Sequence, residues 1–168
     1  MYHLKEKLTI EGKIEILIID AKTKEVLEKK EFSNLVVNGG LNMIRAWLGN
    51  VLPIDDANIN IDTRITHIAV GDSNAIVAGT QTSLGNELLR KELYPTPDPG
   101  CGISLDTNKV IYEMLLDESE LNGEIIREVG LFSESHIPFM VTRFLCGNLS
   151  KTSAVQFLIK YKILINSS

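Results

Sequence analysis

The sequence predicts a mainly β fold, an antiparallel β-sandwich with an N-terminal hairpin and one short helix at about residues 40–49. Three observations carry this. Residues 152–165 alternate strictly, with Val155, Phe157, Ile159, Tyr161, Ile163 and Ile165 on one face, the period of a half-buried strand. Other short apolar or alternating runs recur between Gly, Asn and Pro turn signals. No β-α-β-α alternation is present, which excludes a doubly wound sheet. With 168 residues, 44% hydrophobic and 23% charged, the chain has the composition of a globular domain. A domain of this size buries roughly 68–70% of its unfolded surface, enough for a core of its own.

Taken in order, Lys13–Asp20 starts as an alternating strand and becomes wholly apolar and β-branched, Ala21–Glu25 is a polar turn, and Val26–Phe32 is the return strand. Lys and Glu on one face suit a sheet with a wet side. This hairpin, residues 1–33, is expected as an assembly arm, and residues 34–168 as the sandwich module. Asn38-Gly39-Gly40 punctuates the chain. Leu41, Ile44 and Leu48 then share a helical face, Trp47 flanks it, and Gly49-Asn50 supplies the stop. Ten residues of helix are marginal alone and must pack on a sheet. Val51–Arg64 reads as a loop, Ile65–Val70 as a buried strand ended by Gly71-Asp72, and Leu84–Leu93 as either helix or strand. Pro95, Pro97, Pro99, Gly100 and Gly102 are expected to break regular structure. Lys109–Leu116, Glu124–Phe132, His136–Cys146 and Thr152–Ile165 complete the strands.

Charge and composition exclude several classes. A net charge of −5 disfavours binding to a phosphate backbone, so no nucleic-acid partner is expected. No apolar run reaches the ~18–20 residues that span a bilayer, so no membrane partner is expected either. Met1–Lys7 has no apolar stretch of the signal-peptide kind. Cys101 and Cys146 form no C-x-x-C pair and read as reduced thiols of a protein made in the cytoplasm.

Catalytic patterns fail on inspection. His3, His67 and His136 have no metal-binding spacing. Gly71-Asp72-Ser73-Asn74-Ala75 lacks the second Gly of a nucleophile elbow. Gly147–Thr152 lacks the Gly before Lys151 that a phosphate loop needs, and a strand follows it. Asp56, Asn58, Asn60 and Asp62 have the oxygen spacing of a calcium loop, but its sixth position is Ile61 and its twelfth is His67. Asp55-Asp56 and Asp117-Glu118 read as solvated loop acids. No catalytic residue, cofactor or metal site is expected.

Three segments carry a resemblance: Asn38–Ile44; Ile65–Asp72 with Thr82–Lys91; and Ile126–Phe132. In this order and spacing the chain resembles the N-terminal module of tailed-bacteriophage tail-fibre and tail-collar proteins over about residues 35–165. The residues that match the family pattern are Gly71, Asp72, Leu84, Glu87, Arg90, Arg127, Glu128, Gly130, Leu131 and Phe132. Ser73 stands where the pattern has Gly. The resemblance implies a non-enzymatic virion structural protein, made in the host cytoplasm and found in the virion. Its partners would be other phage proteins of tail or capsid, with self-association favoured as a trimer. Without a shaft or receptor-binding tip after residue 168, an attachment or connector module is expected. The alternatives are a capsid decoration protein and, more remotely, a carbohydrate-binding module.

The residues suggest roles of their own. Gly71 and Gly130 are expected where a strand bends or needs positive φ. Leu131 and Phe132 are expected on opposite faces, one in the core and one on a lateral surface. Arg90 and Glu128 are expected to form an ion pair that locks the loop after Ser83 onto the sheet. Trp47 and Tyr94 are the interface candidates, as large aromatics often anchor contacts.

Overall fold

The computed structural model describes residues 8–33, 35–36, 38–49, 64–94, 101–133 and 140–167. Two antiparallel sheets of five strands each pack face to face as a β-sandwich. The first sheet has the order β2-β1-β10-β7-β6 and the second β3-β9-β8-β4-β5. In chain order the elements are β1 (Leu8–Asp20), β2 (Val26–Ser33), β3 (Leu35–Val36), α1 (Asn38–Gly49), β4 (His67–Gly71), β5 (Glu87–Glu92), β6 (Cys101–Asp106), β7 (Lys109–Leu116), β8 (Ile125–Phe132), β9 (Met140–Ser150) and β10 (Val155–Ser167).

The hairpin forms where the sequence puts it. Asp20 makes its turn, the carboxylate accepting the amides of Lys22 and Thr23 at 2.8 Å each. This is the local side-chain-to-backbone bonding that favours Asp in turns. The hairpin is not a separate arm, however. β1 pairs with β10 along its whole length, from Leu8 opposite Ser167 to Asp20 opposite Val155. Ile14 and Ile16 of β1 lie in the same core as Met114, Phe157, Ile159 and Tyr161. The period-two face of β10 is buried at Phe157, Ile159 and Tyr161, as its pattern requires.

Leu84–Leu93 resolves into the strand β5, an edge strand beside β4. The Pro- and Gly-rich stretch ends earlier than expected: Cys101–Asp106 is β6, with Gly102 paired to Glu113. A single parallel bridge joins Tyr94 to Gly102. Helix α1 begins at Asn38, whose amide donates to the Gly79 carbonyl at 2.8 Å. Its inward face differs from the expected one. Met43 enters the main core, whereas Leu41 is about half exposed at 51%. The helix starts two residues before the expected 40 and packs against β9 and β3 of the second sheet, with Met43 on the side that meets them.

Candidate functional site

The second sheet brings the motif segments together. Gly71 of β4 lies opposite Glu128 of β8, Ala69 opposite Gly130, and His67 opposite Phe132. On the other side of β4, Ala69 lies opposite Arg90 of β5. Segments far apart in sequence are therefore neighbouring strands, and the loop of residues 72–86 folds back over their outer face.

Beneath that loop Glu128 is fully buried, with Arg143 of β9 fully buried beside it. The Arg143 Nε donates to Glu128 Oε2 at 2.6 Å. The same carboxylate accepts three amides of the covering loop: Ser73 at 3.3 Å, Gly85 at 3.1 Å and Asn86 at 2.9 Å. From the far end of its guanidinium, Arg143 Nη1 donates to the Ala75 carbonyl at 2.9 Å and to Gln81 Oε1 at 3.0 Å. A buried charge is tolerated only when paired and hydrogen-bonded. Here both carboxylate oxygens are used to hold one loop, and only Arg143 Nη2 is left without a partner.

The expected pair of Arg90 with Glu128 is therefore corrected. Arg90 binds Glu87 on its own strand, Nε to Oε1 at 2.9 Å and Nη2 to Oε2 at 2.6 Å. Its guanidinium lies 3.8 Å over the Phe132 ring, a cation–π arrangement. The lock between loop and sheet exists, but its cation is Arg143, because β9 and not β5 adjoins β8. Sequence reasoning passed over Arg143 and Gln81, and gave Ser73 and Gly85 no part in the lock. Arg143 did carry a signal: it is the one charge in the apolar run Met140–Cys146, and a lone charge in a buried strand needs a partner.

The glycines act by close approach. A Cβ on Gly71 would overlap the Asn86 carbonyl oxygen and the Glu128 carboxylate. On Gly130 it would lie 3.0 Å from both the Thr142 carbonyl oxygen and Leu84 Cδ2. Positive φ belongs instead to Gly123 and Gly147. Leu131 and Phe132 do face opposite ways, but Phe132 does not line an open surface. It is buried in a second cluster with Ala69, Leu84 and Met140. Asp72 accepts from Asn86 Nδ2 at 2.7 Å, and Arg127 donates to the Asp72 carbonyl at 3.0 Å and to Asn148 at 2.9 Å.

The other singled-out residues lie elsewhere. Tyr94 is half exposed at the edge of the first sheet, its carbonyl accepting the Ile103 amide at 3.0 Å. Trp47 stands in α1, with its side chain outside the described residues, as are His3, His136 and the calcium-like stretch 56–62. Ser73 Oγ accepts the Ala75 amide at 3.2 Å, a turn role. Lys151 is buried and donates to the Thr152 carbonyl at 3.0 Å and Asn122 Oδ1 at 3.4 Å. Burial lowers its pKa, with Asp117, Glu120 and Glu118 opposing. Neither Cys101 nor Cys146 is joined in a disulfide, and burial pushes the Cys146 thiol up to about 12. Among the described residues no group of three or more His, Cys, Asp or Glu side chains gathers for a metal, and no helix is long and apolar enough to cross a membrane.

Compared with family models, curated proteins and solved structures, the chain shows no significant match.

Proposed function

We propose that this chain is a non-enzymatic structural protein of a tailed-bacteriophage particle, an attachment or connector module of the tail fibre or tail tip that self-associates and docks on larger virion proteins. One observation supports this reading most. Two of the three segments carrying the resemblance meet at one place, since Gly71, Gly130 and Phe132 lie beneath the loop that Glu128 holds and Asp72 and Leu84 belong to that loop. An ordered motif set whose members meet at one lock has a reason to occur together. The chemistry of that lock also fits a scaffold: its carboxylate and guanidinium are buried and engaged with backbone, which leaves them no open face toward a substrate.

The test is immunogold electron microscopy of tailed particles with an antibody to the purified chain. Label at the tail or its tip is the expected result. Label spread over the head replaces this reading with that of a decoration protein. Particles that carry the gene's product in the lysate but bind no label overturn the virion role.

A further inference from the structure

We infer that Lys151 and Asn122 are the two ends of a self-formed cross-link, an amide bond between Lys151 Nζ and Asn122 Cγ made with loss of ammonia. The inference goes beyond the virion reading. Its test uses the purified chain alone, so either can fail without the other.

Lys151 stands between β9 and β10 and is wholly buried. A buried ammonium normally holds a carboxylate. Here both acceptors are neutral oxygens, the Thr152 carbonyl at 3.0 Å and Asn122 Oδ1 at 3.4 Å. The acids of the neighbouring β7–β8 connection are engaged elsewhere. Glu120 Oε2 accepts from Lys91 Nζ at 2.6 Å and from the Asp117 amide at 2.9 Å. Asp117 Oδ1 accepts the amide of Ser119 at 2.7 Å and its hydroxyl at 2.6 Å, and Glu118 accepts from Gln156. Burial without a bound carboxylate disfavours the charged form, and burial lowers the Lys151 pKa. An uncharged lysine amine is a nucleophile.

The backbone holds the two side chains together. On one side of the contact the Gly123 amide donates to the Lys151 carbonyl at 2.9 Å, and on the other the Lys151 amide donates to the Glu124 carbonyl at 3.0 Å. Asn122 Nδ2 is tied to the Glu118 carbonyl at 2.9 Å, which turns Oδ1 toward Lys151. The carbon to be attacked is one C=O bond, about 1.2 Å, beyond that oxygen. A small shift of Nζ reaches the separation of about 3–3.5 Å from which such groups react, and a fold that keeps them adjacent supplies the entropy of encounter in advance.

Asn122 is followed by Gly123, whose nitrogen is the competing nucleophile. Its attack would close a five-membered ring that water opens to aspartate. That nitrogen is the one donating to the Lys151 carbonyl, so the fold occupies it and leaves the lysine amine as the attacking group. In the reaction the Nζ lone pair forms a bond to Cγ, the Cγ–Nδ2 bond breaks, and one Nζ proton passes to Nδ2, which departs as ammonia. Nothing is oxidised or reduced and no co-reactant is consumed. Asn122 is exposed although Lys151 is not, so ammonia leaves directly into water. Asn122 precedes β8 and Lys151 follows β9. The bond therefore closes the base of the hairpin that carries both Glu128 and Arg143.

Mass spectrometry of the purified, folded chain tests this. The wild type is expected to be about 17 Da lighter than its sequence, the mass of ammonia. Trypsin is expected to leave Val110–Arg127 joined to Phe144–Lys160, because an acylated Lys151 is not cut. Asn122→Ala and Lys151→Met are each expected to have the full sequence mass, and Asn122→Ala to be cut after Lys151. A wild type of full mass that trypsin cuts at Lys151 overturns the inference. So does a gain of about 1 Da at Asn122, which would make Gly123 the nucleophile. A deficit that persists in Asn122→Ala overturns it as well, since the lost ammonia would come from another residue.

Discussion

From Ile111 to Leu116 of β7 in the first sheet, partly buried and buried residues alternate, whereas every residue of β4 and the last five of β8 in the second sheet are buried. The outer face of the first sheet carries Glu15, Lys29, Lys160 and Glu113, which pair there as Lys29–Glu15 at 2.8 Å and Lys160–Glu113 at 2.7 Å, each pair keeping at least one partner partly in water. The second sheet has an ion pair as well, but it lies under a loop and is wholly excluded from solvent. The same chemistry does different work in the two places. Pairs open to solvent on at least one side add about 1 kcal/mol or less each, because water still competes for the charges. The buried pair is what allows a polar loop to serve as a second layer, since its amides have no other acceptor under the cover.

The comparison breaks most sharply at Arg143. Arg143→Ala leaves the Glu128 carboxylate buried without its cation, and a loss of about 3–5 kcal/mol is expected. At roughly 2–4 °C per kcal/mol for a chain of this size, differential scanning calorimetry reads this easily. A melting temperature within a degree of wild type would mean the loop is not held as described. Next comes Gly71→Ala, which drives a methyl group into the Asn86 carbonyl and should cost about 1–3 kcal/mol, in the range of overpacking. Denaturant melts measure it, and faster amide exchange at Gly85 and Asn86 would place the damage in the loop.

Arg90→Ala sharpens the picture. It removes the Glu87 pair and the contact over Phe132 but leaves Glu128 satisfied. The expected loss is about 1 kcal/mol, well below that of Arg143→Ala. Equal losses would restore Arg90 as the lock.

The smallest effect is expected at Glu15. Burial raises its pKa, but hydrogen bonds from Lys29 and Lys162 outweigh this and hold it below the usual 4.5. A lowered carboxyl pKa contributes stability above the ordinary range, and that contribution disappears as pH falls through the folded-state value. Glu15→Gln should therefore lower the melting temperature slightly at pH 7, with the gap to wild type closing as pH falls below about 4.5. Parallel acid profiles for the two proteins would remove Glu15 from the account.

What the sequence revealed follows the same division. β10 and the N-terminal hairpin were legible because one face of the first sheet is wet, so alternation survives in the residues. β5 was ambiguous because Glu87, Arg90, Lys91 and Glu92 of an edge strand follow neither period cleanly. β6 was hidden by Gly102 and the prolines before it, although a strand beginning at Cys101 needs none of those prolines. The motif residues were legible as a set, but their pairing was not. Arg90, Arg127 and Arg143 all offered a cation, and only the strand order, with β9 and β4 flanking β8, decides that Arg143 receives Glu128. The helix face was misjudged for a similar reason: Met43 and Leu41 both suit a core, and only the packing of α1 against β9 and β3 selects between them.

The pairing of β10 between β1 and β7 also sets an order of events during folding. All five strands of the second sheet, the covering loop and both members of its ion pair lie within residues 35–150. The first sheet cannot close until β10, the last strand in the chain, inserts between the β2-β1 and β7-β6 hairpins. Contacts as distant in sequence as Leu8 with Ser167 form late and slowly. Until they form, the folding chain is exposed to wrong pairing along the inner edges of β1 and β7, the very edges that β10 later occupies.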